Sequence, residues 1–273
     1  MDFRHLTNIA IEAALDAGNI IQQHIDKDIR VENKTAGSSR ASRVVTKVDR
    51  ACETAIRAHL DPTCDKFDLA LLSEETVDDG SRFEKEFSWC VDPMDGTLPF
   101  INKRPGFSVS IALVAFDGTP RIGVVYDPTS DTLYHAIKGH GVYKNKRPWK
   151  IENINNYLTY VTDRKLDDTP RAAEIEKLLH KRAEALQLNG FREMSGAGSV
   201  MNAIRVLEHG PACMIKFPKK ETGGGSIWDF AATACIFEEF GLPATDFEGN
   251  PLDLNRENGT FMNHRGVFYG NFL

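Results

Sequence analysis

The sequence predicts an α/β chain, built as a layered α+β sandwich of two packed lobes, and three observations carry that expectation. Two amphipathic helical patterns open the chain, a strand-rich run follows, and from about residue 150 strands and helices alternate. In MDFRHLTNIAIEAALDAGNII, Leu6, Ile9, Ala13, Ala17 and Ile20 fall on one helical face. After the polar loop NKTAGSSRASR, the segment VVTKVDRACETAIRAHLD spaces Val48, Cys52, Ile56 and Leu60 as a second helix, with Asp49 in its first turn. DLALLSEE is a short apolar run ending in two acids, and FSWCVDPMDG repeats that arrangement. The run from Phe107 to Trp149 reads as mostly antiparallel strands with turns at Asp117-Gly118 and Asp127-Pro128. Beyond Lys150 come a strand (YLTYVTD), a helix (RAAEIEKLLHKRAEALQL), a glycine turn (SGAGS), a helix (VMNAIRVLEHG), a strand, a helix (SIWDFAATACIFEEFG) and a closing hairpin about Asn258-Gly259. The expected division is an N-terminal α+β lobe over 1–150 and a C-terminal α/β lobe over 151–273, without a flexible linker.

Composition narrows the function. Hydrophobic residues at 41% and charged residues at 26% leave no disordered or low-complexity tract, so folding on a partner is not required. A net charge of -6 opposes binding to a nucleic-acid polymer, which needs a dominant basic face. Five cysteines, odd in number and without a CxxC pair, indicate neither a disulfide framework nor a thiolate zinc site, and a reducing cytoplasm is expected. The opening segment has no basic head and carries Glu12 and Asp16 within its apolar stretch, unlike a signal peptide or membrane span. Neither GxGxxG after a strand nor GxxxxGK[ST] occurs, which excludes the common dinucleotide and P-loop sites.

The acids carry the chemistry. Asp92-Pro93-Met94-Asp95-Gly96 is turn chemistry in one reading, with proline presetting φ and glycine permitting positive φ. Glu74-Glu75 alone reads as a solvated pair, and Asp229 as the acid of a capping box in Ser226-Ile-Trp-Asp229. Their combination supports a second reading. Two apolar strands end in acids, and a third acid opens a helix behind Gly223-Gly224-Gly225, positions that share the ligand-binding edge of an α/β sheet. Converging carboxylates repel unless a cation lies between them, and an oxygen-only donor set selects a hard ion, Mg²⁺ before Ca²⁺ or Zn²⁺.

DPMDGT after WCV, the upstream SEE and the downstream GGSIWDFAATACIFEEFG together resemble the signatures of the inositol monophosphatase family. These are lithium-sensitive, magnesium-dependent phosphatases that include the 3'(2'),5'-bisphosphate nucleotidases. VVTKVDRACE and GVVYDPTSDTLYHAIKGHGVYKN match family segments in order, so the resemblance runs from about Ile9 to the C-terminus. It implies the sugar-phosphatase-like fold and hydrolysis of a small phosphate monoester by an activated water, without a covalent enzyme intermediate. It further implies that Glu74, Asp92 and the Met94 carbonyl hold one Mg²⁺ and that Asp92, Asp95 and Asp229 hold a second, with Asp92 bridging. Glu74, through water, would help hold a weaker third. By the same resemblance Thr97 and Asp49 polarise the attacking water, Gly96 and Thr97 present backbone N–H groups to the phosphate, and Gly198 and Ser199 contact the alcohol part of the substrate. Lithium inhibition and a homodimer are further family expectations.

Substrate identity is where the chain departs from the known branches. After DGT it continues Leu98-Pro99-Phe100, matching neither the inositol nor the nucleotidase pattern. The inositol branch carries a glutamate about seven positions before the Asp229 equivalent; here that position is Thr222, with Glu221 beside it. Two basic groups favour a substrate with a second phosphate: Arg43 with Lys34 and Arg40, and Lys216, Lys219 and Lys220 before the glycine run. The same residues also read as a solvated surface. A bisphosphate nucleotide such as 3'-phosphoadenosine 5'-phosphate is the favoured substrate and inositol monophosphate the alternative. A metal- and phosphate-binding module without turnover is the alternative of another class.

Overall fold

The computed structural model describes residues 1–27, 31–33, 44–152 and 155–272. Asp2 caps the first helix, α1 (Phe3–Gln22), its carboxylate accepting from the N–H groups of Arg4 and His5. The short strands β1 (Val31–Asn33) and β2 (Val44–Thr46) pair antiparallel and lead into α2 (Lys47–Phe67). Next come β3 (Ala70–Ser73), β4 (Phe87–Asp95), the single turn α3 (Thr97–Ile101), β5 (Ser108–Ala115), β6 (Pro120–Asp127), β7 (Thr132–Ile137), β8 (Gly141–Lys144) and β9 (Arg147–Pro148). The remainder supplies β10 (Leu158–Thr162), α4 (Ala172–Ala185), β11 (Phe191–Ser195), α5 (Ser199–Glu208), β12 (Ala212–Lys216), α6 (Ile227–Glu239), β13 (Ala244–Thr245) and β14 (Val267–Asn271).

Strands β3 to β9 form a seven-stranded sheet in chain order, antiparallel except where β3 runs parallel to β4. The second sheet has the order β11-β10-β12-β14-β13, with β10 parallel to both β11 and β12. Both faces of the first sheet are covered, α1 and α2 on one side and α6 on the other, so β4 and β5 are buried at every position. Helix α5 packs beside α6 and against β10 and β12, while α4 closes the far face of the second sheet. The result is five layers, helix, sheet, helix, sheet, helix, with the largest apolar cluster in the middle layer and contributed by both sheets.

Two details differ from the sequence expectation. Phe191–Ser195 forms a strand where only a turn was expected, because Arg192 and Glu193 on this exposed edge strand hide its period-two pattern. The expected closing hairpin about Asn258-Gly259 does not form. Phe261 instead bridges to Ser226, and β14 pairs with β12 and β13. The segment between them is therefore held against the loop that precedes α6. The basic residues Lys34, Arg40 and Arg43 lie outside the described residues.

Candidate active site

In a regular strand, residues three apart face opposite sides of the sheet, so Asp92 and Asp95 should diverge. They do not, because β4 carries a bulge. Asp92 pairs with Ser110 and Asp95 with Ser108, three steps on one strand against two on the other. Proline without an N–H sits at this irregularity as Pro93, and the Met94 N–H turns back to donate to Asp92 Oδ1 at 3.0 Å. The extra residue restores both carboxylates to one side. The turn reading of this motif and its role in gathering acids are thus the same local geometry.

Asp229 arrives from the start of α6. The Ser226 N–H donates to Asp229 Oδ2 at 2.6 Å, completing the capping box expected from the sequence. Carboxylate oxygens of Asp92, Asp95 and Asp229 lie within 4.8 Å of one another. Asp95 is further held by the start of α5, accepting from the Ser199 N–H at 3.2 Å and the Val200 N–H at 2.9 Å. Gly198 makes that approach possible, since a Cβ there would lie 2.2 Å from Asp95 Oδ2. Burial, then the charge of Asp229, pushes the Asp95 carboxyl well above the ordinary range. Burial, then Glu74, raises Asp229 to about 6. Three carboxylates with no histidine or thiolate in the group, two of them buried and holding negative charge with difficulty, fit a hard divalent cation.

Glu74 approaches from the neighbouring strand end. Its N–H donates to the Val91 carbonyl at 3.2 Å, extending the parallel pairing of β3 with β4 and setting Glu74 beside Asp92. It acts on Asp229 through its charge but is not one of the three carboxylates that share the 4.8 Å group. Met94 has a buried side chain, and its carbonyl accepts from Thr97 Oγ1 at 3.4 Å. The shorter contact of the Thr97 hydroxyl is to Asp49 Oδ1, at 3.1 Å. Asp49 lies in the first turn of α2 and is 2% exposed, so α2 and α3 bring together two residues from separate motifs. Gly96 has φ +86, and a Cβ there would stand 2.7 Å from the Gly106 carbonyl, which explains the glycine between the acid and the threonine.

A model of the inositol monophosphatase family matches residues 2–269. The chain belongs to the inositol monophosphatase family. It is 31% identical over 256 residues to tomato inositol monophosphatase 3, covering 90% of this chain and 88% of that one. Among solved structures, the SuhB protein of Bartonella henselae superposes with a TM-score of 0.71 at 24% identity, covering 98% and 94% of the two chains. SaIMPase-II with 2'AMP bound superposes at 0.67 with 22% identity, covering 98% and 89%. Members of the inositol monophosphatase family hydrolyse phosphomonoesters, and this chain is a phosphatase of that kind. Among the described residues no helix is long and apolar enough to cross a membrane.

Substrate-side residues separate into two groups. Gly198 and Ser199 open α5 beside Asp95. Thr222, Glu221 and Lys220 lie exposed in the loop between β12 and α6. Counting back from Asp229 therefore lands in an exposed loop, whereas the strand itself ends at Lys216, whose side chain is 13% exposed. Lys216 Nζ donates to Asp163 Oδ2 at 2.6 Å and to Ser199 Oγ at 3.0 Å, and its charge reaches Asp95 and Asp229. Sequence reasoning missed Asp163, which follows the apolar strand YLTYVT as Glu74 follows DLALLS. Asn202, which donates to Asp163 Oδ1 at 3.0 Å, carries no signal in the sequence.

Proposed function

We propose that the chain hydrolyses a small phosphorylated metabolite with Mg²⁺ held by Asp92, Asp95 and Asp229, assisted by Glu74 and the Met94 carbonyl. The observation that carries this reading is the hydrogen bond from Thr97 Oγ1 to Asp49 beside the carboxylate group. Mg²⁺, when bound, supplies charge neutralisation for the phosphoryl group and favours ionisation of water. The residues supply direction. With its own proton committed to Asp49, the Thr97 oxygen presents a lone pair to a water on its open side. As the water attacks phosphorus, its proton passes to Thr97 Oγ1 while the threonine proton moves to Asp49 Oδ1. Backbone N–H groups of Gly96 and Thr97 orient the phosphate, because the first turn of a helix leaves such donors unpaired. Gly198 and Ser199 face the departing alcohol.

The substrate we favour is a 3'(2'),5'-bisphosphate nucleotide, 3'-phosphoadenosine 5'-phosphate being the type compound. Support comes from Lys216 at the mouth of the site and from the absence of a glutamate at the end of β12. The binding of 2'AMP by SaIMPase-II shows that a member of this fold accepts a nucleotide. Inositol monophosphate is the second reading, favoured by the tomato relative. The test is phosphate release, with and without Mg²⁺, from 3'-phosphoadenosine 5'-phosphate, inositol monophosphates and fructose 1,6-bisphosphate. Metal-dependent release from the nucleotide above the others supports the favoured reading. Release from none of them, with Mg²⁺ bound, would favour a substrate outside this panel or a module that binds metal and phosphate without turnover.

A further inference from the structure

Of the three lysines before the glycine run, only Lys216 is drawn into the site. Lys219 and Lys220 are exposed, whereas Lys216 ends β12 with its side chain 13% exposed and its ammonium 5.7 Å above the Phe230 ring. Burying an ammonium is costly unless it is paired, and here the pairing is specific. Parallel strands β10 and β12 are in register, Thr159 beside Ala212 and Val161 beside Met214, so Asp163 and Lys216 emerge side by side at the carboxyl edge of the sheet, where open α/β sheets bind ligands. Asp163 is tied down by Asn202 Nδ2, which also donates to the Ala197 carbonyl at 3.2 Å. Ser199 accepts from Lys216 with its hydroxyl and donates its N–H to Asp95. One serine thus separates the ammonium from a carboxylate of the metal-binding group.

The two partners of Lys216 are unequal. Ser199 is buried and part of α5, while the Asp163 side chain is 45% exposed and sits on the solvent side. An anion entering from solvent can take the place of Asp163 without disturbing Ser199. When cations neutralise Asp92, Asp95 and Asp229, the positive charge of Lys216 is left facing Asp163, and it becomes a local attractor for a negative group on the substrate.

We infer that Lys216 is a specificity-determining residue that binds a second phosphate of the substrate, exchanging Asp163 for that phosphate as the substrate enters. This rests on the phosphatase reading above and narrows its substrate class to compounds bearing a phosphate besides the one cleaved. An ammonium contact to a dianion is a charge-assisted hydrogen bond, strong enough to shift affinity about 10- to 100-fold.

Matched pairs test it: adenosine 3',5'-bisphosphate against adenosine 3'-monophosphate, and fructose 1,6-bisphosphate against fructose 1-phosphate. For each pair the readouts are kcat and KM separately, and the rise in Tm that each compound gives the Mg²⁺-loaded protein. The wild type should favour the bisphosphate through KM. Lys216→Met should lower the bisphosphate to monophosphate ratio of kcat/KM by at least 10-fold, with the bisphosphate-specific rise in Tm lost, and Lys216→Arg should keep both. Asp163→Asn, which frees the ammonium, should lower KM for the bisphosphate severalfold, an effect that a merely structural ion pair would not produce. A ratio within twofold of wild type in Lys216→Met, or no preference in the wild type, overturns the inference. If no compound releases phosphate, the substrate reading proposed above fails instead. The differences in Tm then decide whether Lys216 reads the second phosphate.

Discussion

The two ends of the site are built differently. At the acid end, Asp92 and Asp95 are gathered by a bulge within four residues, and Asp229 is aimed by a capping box within four. At the basic end, Lys216 is set by Asp163 and Ser199, 53 and 17 positions away. Local rules place the groups that hold charge near the reaction, while layer packing places the ammonium that we propose selects what reacts. Chemistry can then persist across relatives of low identity while the rim varies.

The largest expected effect tests the acid end. Asp49→Asn and Thr97→Ala should each lower kcat by roughly 10²- to 10³-fold, within the range of positioned proton transfer. Mg²⁺ affinity measured by calorimetry should stay within a fewfold, since neither side chain belongs to the carboxylate group. Near-normal turnover in both variants would remove the proton path from the mechanism.

A second test moves the contact that joins the two ends. Gly198→Ala places a methyl 2.2 Å from Asp95 Oδ2, so either Asp95 or the start of α5 must shift. Activity should fall about 10- to 100-fold, because displacements near 1 Å are costly at reacting centres. Mg²⁺ affinity should weaken as well. The nearby Gly196→Ala meets no atom within 4 Å and is strained only by φ +94, so it should cost about 1 kcal/mol of stability, read by denaturant unfolding, and little metal affinity. Equal metal affinity in the two variants would show that the Asp95 contact does not matter.

A smaller effect follows from pH. In the metal-free protein Asp229 titrates near 6, above its unfolded value, so the folded state binds more protons between these values. Its ionisation therefore costs stability above about pH 6, and the cost disappears as pH falls below the unfolded value. His135 acts in the opposite sense. Burial lowers it to about 4, so its contribution is retained above the unfolded value and lost as pH falls toward 4. Comparing variants separates the two. With EDTA present, Asp229→Asn should exceed wild type in Tm by a few degrees at pH 7, and the difference should close near pH 4. With Mg²⁺ present the order should reverse at pH 7, because the ion stabilises only the protein that binds it tightly. A pH-independent difference would place the charge of Asp229 outside the carboxylate group.

Much of this molecule is legible in its sequence. The helix face Leu6, Ala13 and Ala17 is buried as its periodicity requires, and Cys90, whose thiol burial pushes up, is packing beside the acids. The capping box at Ser226 and the positive φ of Gly96 follow from rules that span a few residues, whereas Gly198 is required by its approach to Asp95 across the fold. Two parts stay illegible for different reasons. Edge strand β11 hides its pattern behind exposed polar residues, and Glu221 misleads because the distance in sequence to Asp229 counts an exposed loop.

By itself the sequence determined which acids exist, how each is presented by its own turn or cap, and which family the chain joins, since these depend on neighbours within a few positions. The family resemblance already paired Thr97 with Asp49, 48 positions away, but only the tertiary structure gave their contact at 3.1 Å and decided that Lys216 rather than Lys220 stands at the site. Such pairings depend on strand register and on which helix lies between which sheets, and no local spacing encodes them.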